Sequence, residues 1–327
     1  MTDRKFSRFL PRLRPPMLRA APMERAREQP NLFHPRHWPM WAGVALFRVL
    51  SLLPWRIQRL LAAALAAFWW HVIPVRRHVA LINLRLCFPE KSAGEIRRLA
   101  RAHFGALALG FFETCLAWWA PARRLPPHRI IGLEHLAAAR AGNRGVLLLT
   151  AHFSTLELCG RMLNETGPFG CLYRETNNPV IARLMSRRRA RSMAVAVHFD
   201  DLRGLVRALR GGHAIWYAPD QARRTGPTAL LPFFGVPAVT NTATGRIADM
   251  TGAAVVPYFS RRLQDGSYRL EIFSALANFP TADAEADTRR LNRLIEDAVR
   301  AAPEQYFWVH KRFKLRGPDL PDVYAKT

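Results

Sequence analysis

A histidine and a glutamate five positions apart offer the most direct chemistry in this sequence. His152 and Glu157 follow a short apolar run, VLLLT at 146–150, which is bounded by Gly145 and a turn. Such a run is typical of a strand that is buried on both faces. On one continuous helix the two side chains would point about 140° apart, at about 100° per residue. They can meet only if His152 lies on the strand-to-helix turn and Glu157 lies in the first helical turn.

In that arrangement the Glu157 carboxylate would hold one imidazole nitrogen of His152 and leave the other free to accept a proton. A neutral imidazole, with a reference pKa of about 6.5, can deprotonate an alcohol near pH 7. The stretch from Ser154 to Glu157 also fits a capping box. In that second interpretation Glu157 is structural and His152 is an ordinary loop residue. This segment alone leaves both interpretations open.

The segment lies among alternating strands and helices. Apolar runs at 146–150, 214–218 and 253–259 predict buried strands, and alternation at 268–273 predicts a half-covered strand near a sheet edge. Helical patterns are found at 95–119, 178–192, 202–212 and 291–299, the last ending before Pro303. This alternation predicts an α/β domain with a largely parallel central sheet flanked by helices. Ligands bind such sheets at the carboxyl ends of strands, where His152 is predicted to lie.

Charge and cysteine content limit the classes of partner. The formal net charge is +25, from 49 Lys and Arg against 24 Asp and Glu. It predicts anionic partners, such as acidic lipid headgroups, an acidic carrier protein or nucleic acid. A basic nucleic-acid-binding protein is a minor alternative, because no zinc finger, RNA-recognition signature or P-loop is present. The four cysteines have no CxxC spacing, so we predict no metal.

The N-terminal part of the chain predicts contact with a membrane. Residues 1–30 are basic and Pro-rich and predict a flexible arm. Residues 31–75 predict an apolar helical membrane anchor, although the apolar stretches 41–55 and 60–70 are each shorter than the ~20 residues of a spanning helix. They predict one imperfect span or a helical hairpin in the membrane interface, with a helical pair buried against the domain as the alternative. Residues 76–327 then form the α/β domain.

The run LLLTAHFSTLELCG resembles the HX4E/D block of the lipid A biosynthesis acyltransferases, the lauroyl/myristoyl group, which is related to the glycerolipid acyltransferases. Eight further stretches resemble that family in the same order along the chain. They are HPRHWPMWAG (34–43), INLRLCFPE (82–90), FFETCLAWW (111–119), YRETNNP (173–179), WYAPDQ (216–221), LPFFGVPAVT (231–240), TGAAVVPYFSRR (251–262) and PEQYFWVHKRFKLR (303–316). The resemblance implies a glycerolipid-acyltransferase-like α/β fold.

The resemblance also implies roles for particular residues. His152 matches the general base of the family and Glu157 its acidic partner. Residues at positions implied to bind substrate are Tyr173, Arg174, Arg189, Arg191, Asp220, Gln221, Phe234 and Gly235. By the same resemblance Phe233, Phe234 and Gly235 fall in the loop that helps to bound the acyl groove. Arginine binds phosphate through a bidentate fork, which suits a phosphorylated acceptor; a solvated or lipid-facing basic helix is the alternative for residues 187–191. The chain departs from the family at Ala182, where members often have an acidic residue, and in the unusually basic segment 222–226, which would suit a more anionic acceptor.

The activity implied by the resemblance is secondary acylation of lipid A. An acyl chain would pass from acyl carrier protein to the hydroxyl of a 3-hydroxyacyl chain on a phosphorylated (Kdo-)lipid A precursor. No cofactor is implied beyond acyl-acyl carrier protein as co-substrate. The implied partners are the acidic carrier protein, the phosphorylated glycolipid and anionic membrane lipids, with no nucleic acid. The implied location is the bacterial inner membrane, with the catalytic domain facing the cytoplasm.

Two alternatives concern the reaction itself. A lysophospholipid or ornithine-lipid O-acyltransferase would share the same base chemistry but use another acceptor. A covalent route through Cys159 or Cys171 is disfavoured, because no GxSxG elbow is present and neither cysteine has an obvious activating neighbour in the sequence.

Overall fold

The fold is described here from a computed structural model. The structure describes residues 31–167, 169–174, 176–221, 226–314 and 320–325, and for residues 190–192 it describes the backbone only. The predicted arm at 1–30 therefore lies outside the described residues. From Leu32 onward the chain forms one compact unit, and the predicted boundary at 75/76 falls inside one of its helices, Pro74–Cys87.

A central sheet of mostly parallel strands organises the described part of the chain. Its strands are β1 (His128–Ile131), β2 (Val146–Leu149), β3 (Gly170–Tyr173), β4 (Ala196–His198), β5 (Ala214–Tyr217), β8 (Ala254–Arg262) and β9 (Tyr268–Ile272), while β6 (Thr228–Phe233) and β7 (Val236–Asn241) form a separate antiparallel hairpin. The strand order is β1-β9-β8-β2-β5-β3-β4. Within the sheet, β8 and β9 pair antiparallel and the other neighbours pair parallel. The prediction of a largely parallel α/β sheet is confirmed.

The apolar run at 146–150 forms the middle of this sheet. All four residues of β2 are buried, as expected for a strand with β5 on one side and β8 on the other. The register aligns Leu149 with Tyr217 of β5 and with Pro257 of β8. Because these strands are parallel, the residues that follow β2 and β5 emerge side by side at one edge of the sheet.

Helices cover the sheet. They are α1 (Trp38–Leu50), α2 (Trp55–Val72), α3 (Pro74–Cys87), α4 (Ala93–Trp119), α5 (Leu133–Ala139), α6 (Leu156–Leu163), α7 (Pro179–Ser192), α8 (Leu202–Arg210), α9 (Ala243–Thr251) and α10 (Ala284–Ala301). The predicted helices at 95–119, 178–192, 202–212 and 291–299 correspond to α4, α7, α8 and α10. A capping box does occur in this chain, but it opens α4: the Ser92 hydroxyl accepts from the amide of Glu95, and the Glu95 carboxylate accepts from the amide of Ser92.

Helices α1 and α2 each have an inner face that packs on the core and an outer face that is exposed. Their inner face packs on α4, where Ala62 contacts Ala108 and Phe112 in one apolar cluster. Their outer face leaves large apolar side chains exposed, with Leu60 72% and Phe68 60% exposed. None of the described helices is by itself long and apolar enough to cross a membrane; α2 and α3 meet the length and composition together, but they are bent by 94° where they join.

Candidate active site

His152 lies on the turn that follows β2, at the carboxyl edge of the sheet. The amide of Thr150 donates to the carbonyl of Tyr217 at 2.9 Å, which extends the β2–β5 ladder one residue past the strand. The chain then turns through Ala151 and His152 and enters α6 at Leu156. The predicted position of His152, between a buried strand and the following helix, is confirmed.

The carboxylate that holds His152 belongs to Asp220, which follows the neighbouring strand β5. Nδ1 of His152 lies 2.6 Å from Oδ1 of Asp220, and the amide of His152 donates to Oδ2 at 3.1 Å. The hydroxyl of Tyr306 also donates to this carboxylate. Asp220 is buried, while the His152 side chain stays 34% exposed. With Nδ1 engaged by Asp220, Nε2 is the nitrogen that can exchange a proton with a substrate.

The electrostatics of this pair favour a base. Burial alone lowers the pKa of His152, but the charge of Asp220 and its hydrogen bond outweigh burial and raise it. Burial raises the pKa of Asp220, yet the imidazole and the donors around the carboxylate outweigh burial and lower it. Asp220 is therefore ionised, and it stabilises the imidazolium that forms when His152 accepts a proton.

Glu157 does not fill the predicted position beside the imidazole. Its Oε1 accepts from Nη2 of Arg189 at 2.9 Å and its Oε2 accepts from Nε1 of Trp118 at 3.4 Å. Within the described part of the chain, neither side chain of the predicted His152–Glu157 pair hydrogen-bonds the other. The reason is that Arg189 on α7 and Trp118 on α4 compete for this carboxylate, whereas β5 delivers Asp220 directly to the ring. The predicted partner of His152 was wrong.

The capping-box interpretation of the same segment is also wrong. The N-cap of α6 is Thr155, which makes no side-chain capping bond. The hydroxyl of Ser154 is buried and has no hydrogen-bond partner among the described residues. Because α6 begins at Leu156, Glu157 is its second residue rather than its third. Glu157 thus lies where its carboxylate can pair with Arg189 of α7, and within the part of the chain that the structure describes it does not accept a hydrogen bond from an amide at the start of α6.

Residues 305–310 form the second wall of the site, which we call the C-terminal wall. The amide of Ser154 donates to the carbonyl of Gln305 at 2.8 Å, and the amide of Phe307 donates to the carbonyl of His152 at 3.0 Å. A small pocket beside His152 and Asp220 is lined on this side by Tyr306, Phe307 and His310, among others. The family resemblance includes residues 303–316, but no pattern within them indicates that they reach the base.

The comparison with known proteins decides the family. The family model described as bacterial lipid A biosynthesis acyltransferase matches residues 25–315. The chain belongs to this family. It is 36% identical over 296 residues to the lipid A biosynthesis lauroyltransferase of Escherichia coli K12, which covers 90% of this chain and 97% of that protein. The resemblance inferred from the sequence is confirmed, and the protein is an acyltransferase.

Further relatives carry different acyl groups in their names. The lipid A biosynthesis palmitoleoyltransferase of E. coli K12 is 35% identical over 297 residues, covering 90% of this chain and 97% of that protein. The myristoyltransferase of the same organism is 28% identical over 299 residues, covering 90% and 92%. The solved structure of the 1-acyl-sn-glycerophosphate acyltransferase PlsC from Thermotoga maritima matches with a TM-score of 0.37 and 14% identity, over 75% of this chain and 97% of that chain.

Other predicted substrate-binding residues collect at the same edge of the sheet. Tyr173 ends β3 and Arg174 follows it. The guanidinium of Arg189 lies 6.0 Å from the centre of the Tyr173 ring, and its Nε is buried without a hydrogen-bond partner among the described residues. Gln221 lines the pocket beside His152. The side chain of Arg191 and residues 222–225 of the basic segment 222–226 lie outside the described part of the chain.

The predicted acyl-groove residues lie at the β6–β7 turn, behind the C-terminal wall. Phe233 is fully buried and its ring centre lies 6.0 Å from that of Tyr306. Phe234 packs on Trp308 at 6.3 Å between ring centres, and its positive φ of 53° is accompanied by Gly235 at 74°. These residues therefore support Tyr306 and Trp308 from behind. Their predicted contact with an acyl chain stays a prediction.

Proposed function

We propose that this acyltransferase moves a fatty acyl chain from acyl carrier protein to the hydroxyl of a 3-hydroxyacyl chain on a phosphorylated lipid A precursor. The observation that carries the proposal is the His152–Asp220 pair, which sits at the carboxyl ends of two adjacent parallel strands with the imidazole partly open to solvent. Relatives named as lauroyl-, palmitoleoyl- and myristoyltransferases of lipid A biosynthesis support this class of substrate.

In the proposed reaction Nε2 of His152 accepts the proton of the acceptor hydroxyl as its oxygen attacks the thioester carbonyl. A new C–O bond forms, and a tetrahedral oxyanion appears on the former carbonyl oxygen. When this intermediate collapses, the C–S bond breaks and the thiolate of the carrier takes the proton from the imidazolium. Asp220 holds the ring and stabilises its charge during the step.

Transfer without a covalent enzyme intermediate is favoured by the state of the cysteines. Burial raises the pKa of the Cys159 thiol to about 12 and that of Cys171 to about 11. A thiol needs to ionise before it can attack a thioester, so both are poor nucleophiles near neutral pH. The alcohol activated by His152 is the better nucleophile.

Arg189 and Arg174 are proposed to bind the anionic part of the acceptor. Both lie at the sheet edge that carries His152, and the Nε of Arg189 is a buried donor that a phosphate oxygen can use. In this role Glu157 is a positioning residue, because its ion pair with Arg189 fixes the guanidinium beside Tyr173. The net charge of +25 also favours docking of an acidic carrier protein.

The outer face of α1 and α2 is proposed to bind the cytoplasmic surface of the bacterial inner membrane. We call the exposed side chains Leu46, Val49, Leu60, Phe68 and Val72 the apolar face. Apolar side chains gathered on one exposed face are typical of a membrane or protein interaction site. Arginines on the same helices, Arg48, Arg56 and Arg59, suit anionic lipid headgroups.

The membrane proposal is tested by vesicle co-sedimentation with phosphatidylglycerol-containing vesicles. The double variant Leu60→Glu, Phe68→Glu should bind much more weakly, because both side chains lose their transfer into the lipid. A matched control is Leu202→Glu, since Leu202 on α8 is also exposed but lies outside the apolar face. Equal binding by the double variant and the wild type would remove the apolar face from the membrane contact.

The catalytic proposal is tested by supplying a purified lipid A precursor and a lysophospholipid side by side with acyl-acyl carrier protein. We expect the lipid A precursor to be acylated, and mass spectrometry of the product measures this. His152→Ala should abolish this transfer while thermal unfolding stays cooperative. Transfer to lysophospholipid alone would overturn the acceptor, and turnover by His152→Ala would overturn the base.

A further inference from the structure

His310 shares the pocket with the catalytic pair, yet the reaction above gives it no role. It belongs to the C-terminal wall and lines the same pocket as His152 and Asp220. The pocket has a volume of about 10 Å³, which is room for about one water-sized group. A second imidazole therefore borders a space that fits a single oxygen atom.

The backbone holds this second imidazole in a fixed position. The amide of His310 donates to the carbonyl of Phe307 at 3.2 Å, and its own carbonyl accepts from the amide of Arg312 at 2.9 Å. Nδ2 of Asn83 on α3 donates to the carbonyls of Trp308 at 2.6 Å and His310 at 2.8 Å. Asn83 is itself held by the hydroxyl of Tyr324. The loop is thus fixed from both sides before any substrate arrives.

The ring of His310 has an unused hydrogen-bonding atom. Its Nε2 is buried and has no partner among the described residues. A buried polar atom without a partner costs about 1–3 kcal/mol, and such atoms are uncommon unless a ligand or water completes them. In a neutral imidazole one ring nitrogen carries a proton and donates.

The charges around His310 suit an anion. Burial, with Lys314 as the next cause, lowers the pKa of His310 to about 4; Arg312 and His152 act in the same direction and Asp220 opposes them. The ring is therefore neutral near pH 7. Burial itself favours no charge of either sign, but the part of the shift that comes from Lys314 and Arg312 reflects a positive potential. That potential favours a negative charge on an adjacent substrate atom.

We propose that His310 is a further catalytic residue, which donates a hydrogen bond from Nε2 to the oxyanion of the tetrahedral intermediate. The inference rests on the proposed acyl transfer. It places the proton acceptor, His152, and the oxyanion donor, His310, in the lining of one pocket, one from the end of β2 and the other from the C-terminal segment. The interaction strengthens only as charge develops on the carbonyl oxygen, so it acts on kcat rather than on substrate binding.

The test compares His310→Ala with His310→Gln in the carrier-protein-dependent assay. Loss of one oxyanion donor lowers kcat by about 10²–10³-fold, so we expect a loss of this size in His310→Ala with little change in KM. The glutamine amide places an N–H near the position of Nε2, and His310→Gln should recover about tenfold of the loss. The shorter His310→Asn should recover less, which keeps the comparison useful if the alanine variant folds poorly.

Two further readouts separate catalysis from structure. The acidic limb of the pH profile should be the same in wild type and His310→Gln, because this limb reports the pKa of His152. A shifted limb would mean that His310 acts through His152, which would contradict the proposal. The matched control is His213→Gln. Like His310, His213 has a pKa that burial lowers, with Arg140 as a further cause. It precedes β5, at the opposite edge of the sheet from Asp220, so the kcat of His213→Gln should equal that of the wild type.

The outcomes keep the two proposals apart. An active wild type in which His310→Ala retains full kcat overturns the role of His310 and leaves the proposed function standing. Equal losses in the alanine and glutamine variants, together with a lower Tm, would also overturn it, because they indicate a structural role. A folded wild type that acylates no lipid A precursor overturns both proposals.

Discussion

Replacing Asp220 by asparagine tests the central pair most sharply. The substitution keeps the shape of the side chain but removes its negative charge, 2.6 Å from Nδ1 of His152. At that distance an imidazolium and a carboxylate attract each other by about 6 kcal/mol at an effective dielectric constant of about 20. The His152 side chain is 34% exposed, and water screens part of this attraction. We therefore expect Asp220→Asn to lose about 3 kcal/mol of transition-state stabilisation, or roughly 10²-fold in kcat.

The pH profile of the same variant moves in a direction that follows from the pKa of His152. In the wild type Asp220 raises that pKa against the effect of burial, and we expect activity to fall as acid protonates the proposed base. In Asp220→Asn burial acts unopposed and the pKa falls, so the acidic limb of kcat/KM should shift to lower pH although the plateau is lower. The assay is acyl transfer from acyl-acyl carrier protein across the pH range in which the protein stays folded.

Glu157→Gln is the matched comparison, because it neutralises the other carboxylate of the region. Glu157 pairs with Arg189 and Trp118, so its loss should leave the acidic limb in place. The role of Asp220 is refuted if the acidic limb stays fixed in Asp220→Asn and shifts in Glu157→Gln. That result would return Glu157 to the position of imidazole partner.

Two further predictions concern the packing around the site. A Cβ at Gly110 of α4 would lie 2.6 Å from the carbonyl oxygen of Ser154, so Gly110→Ala should displace the turn that carries His152. The free energy of unfolding, measured by heat or denaturant, should fall by about 1–3 kcal/mol, and kcat should fall with it. Unchanged stability and kcat would contradict this prediction. Burial lowers the pKa of His103 from 6.5 to about 4, so the unfolded chain binds the proton first and the folded state loses up to about 3 kcal/mol as the pH falls from 7 to 4. His103→Gln should flatten this acid dependence in denaturant titrations, and an unchanged slope would show that other groups cause it.

Local patterns in the sequence predicted the elements that are long or wholly apolar. The runs that became β2, β5 and β8 are uninterrupted, and the helical pattern of α4 extends over its whole length. The strands β3 and β4 are as short, with four and three residues, but they lack such an uninterrupted apolar run, because Gly170 begins β3 and His198 ends β4. Their positions depend on pairing with distant strands, which a local pattern does not contain.

The site shows the same limit of local reasoning. His152 was recognised because the strand before it is unmistakable, and its partner was then sought within the same segment. The actual partner, Asp220, lies 68 residues further along. Both residues follow apolar strands, which is a usable signal, but only the sheet order places those two strands side by side. Family resemblance included Asp220 among the candidates, with a different role.

The C-terminal wall also bears on how the enzyme is made. Tyr306 donates to the carboxylate of Asp220, and Phe307 donates to the carbonyl of His152. A ribosome therefore completes the surroundings of His152 only after it has added Tyr306 and Phe307, well after both members of the pair. Translation products that stop before residue 303 contain His152 and Asp220, which can still bond to each other, but they lack the hydrogen bonds from Tyr306 and Phe307. Such fragments should be inert toward lipid, so the order of synthesis itself delays activity until the C-terminal wall has been made.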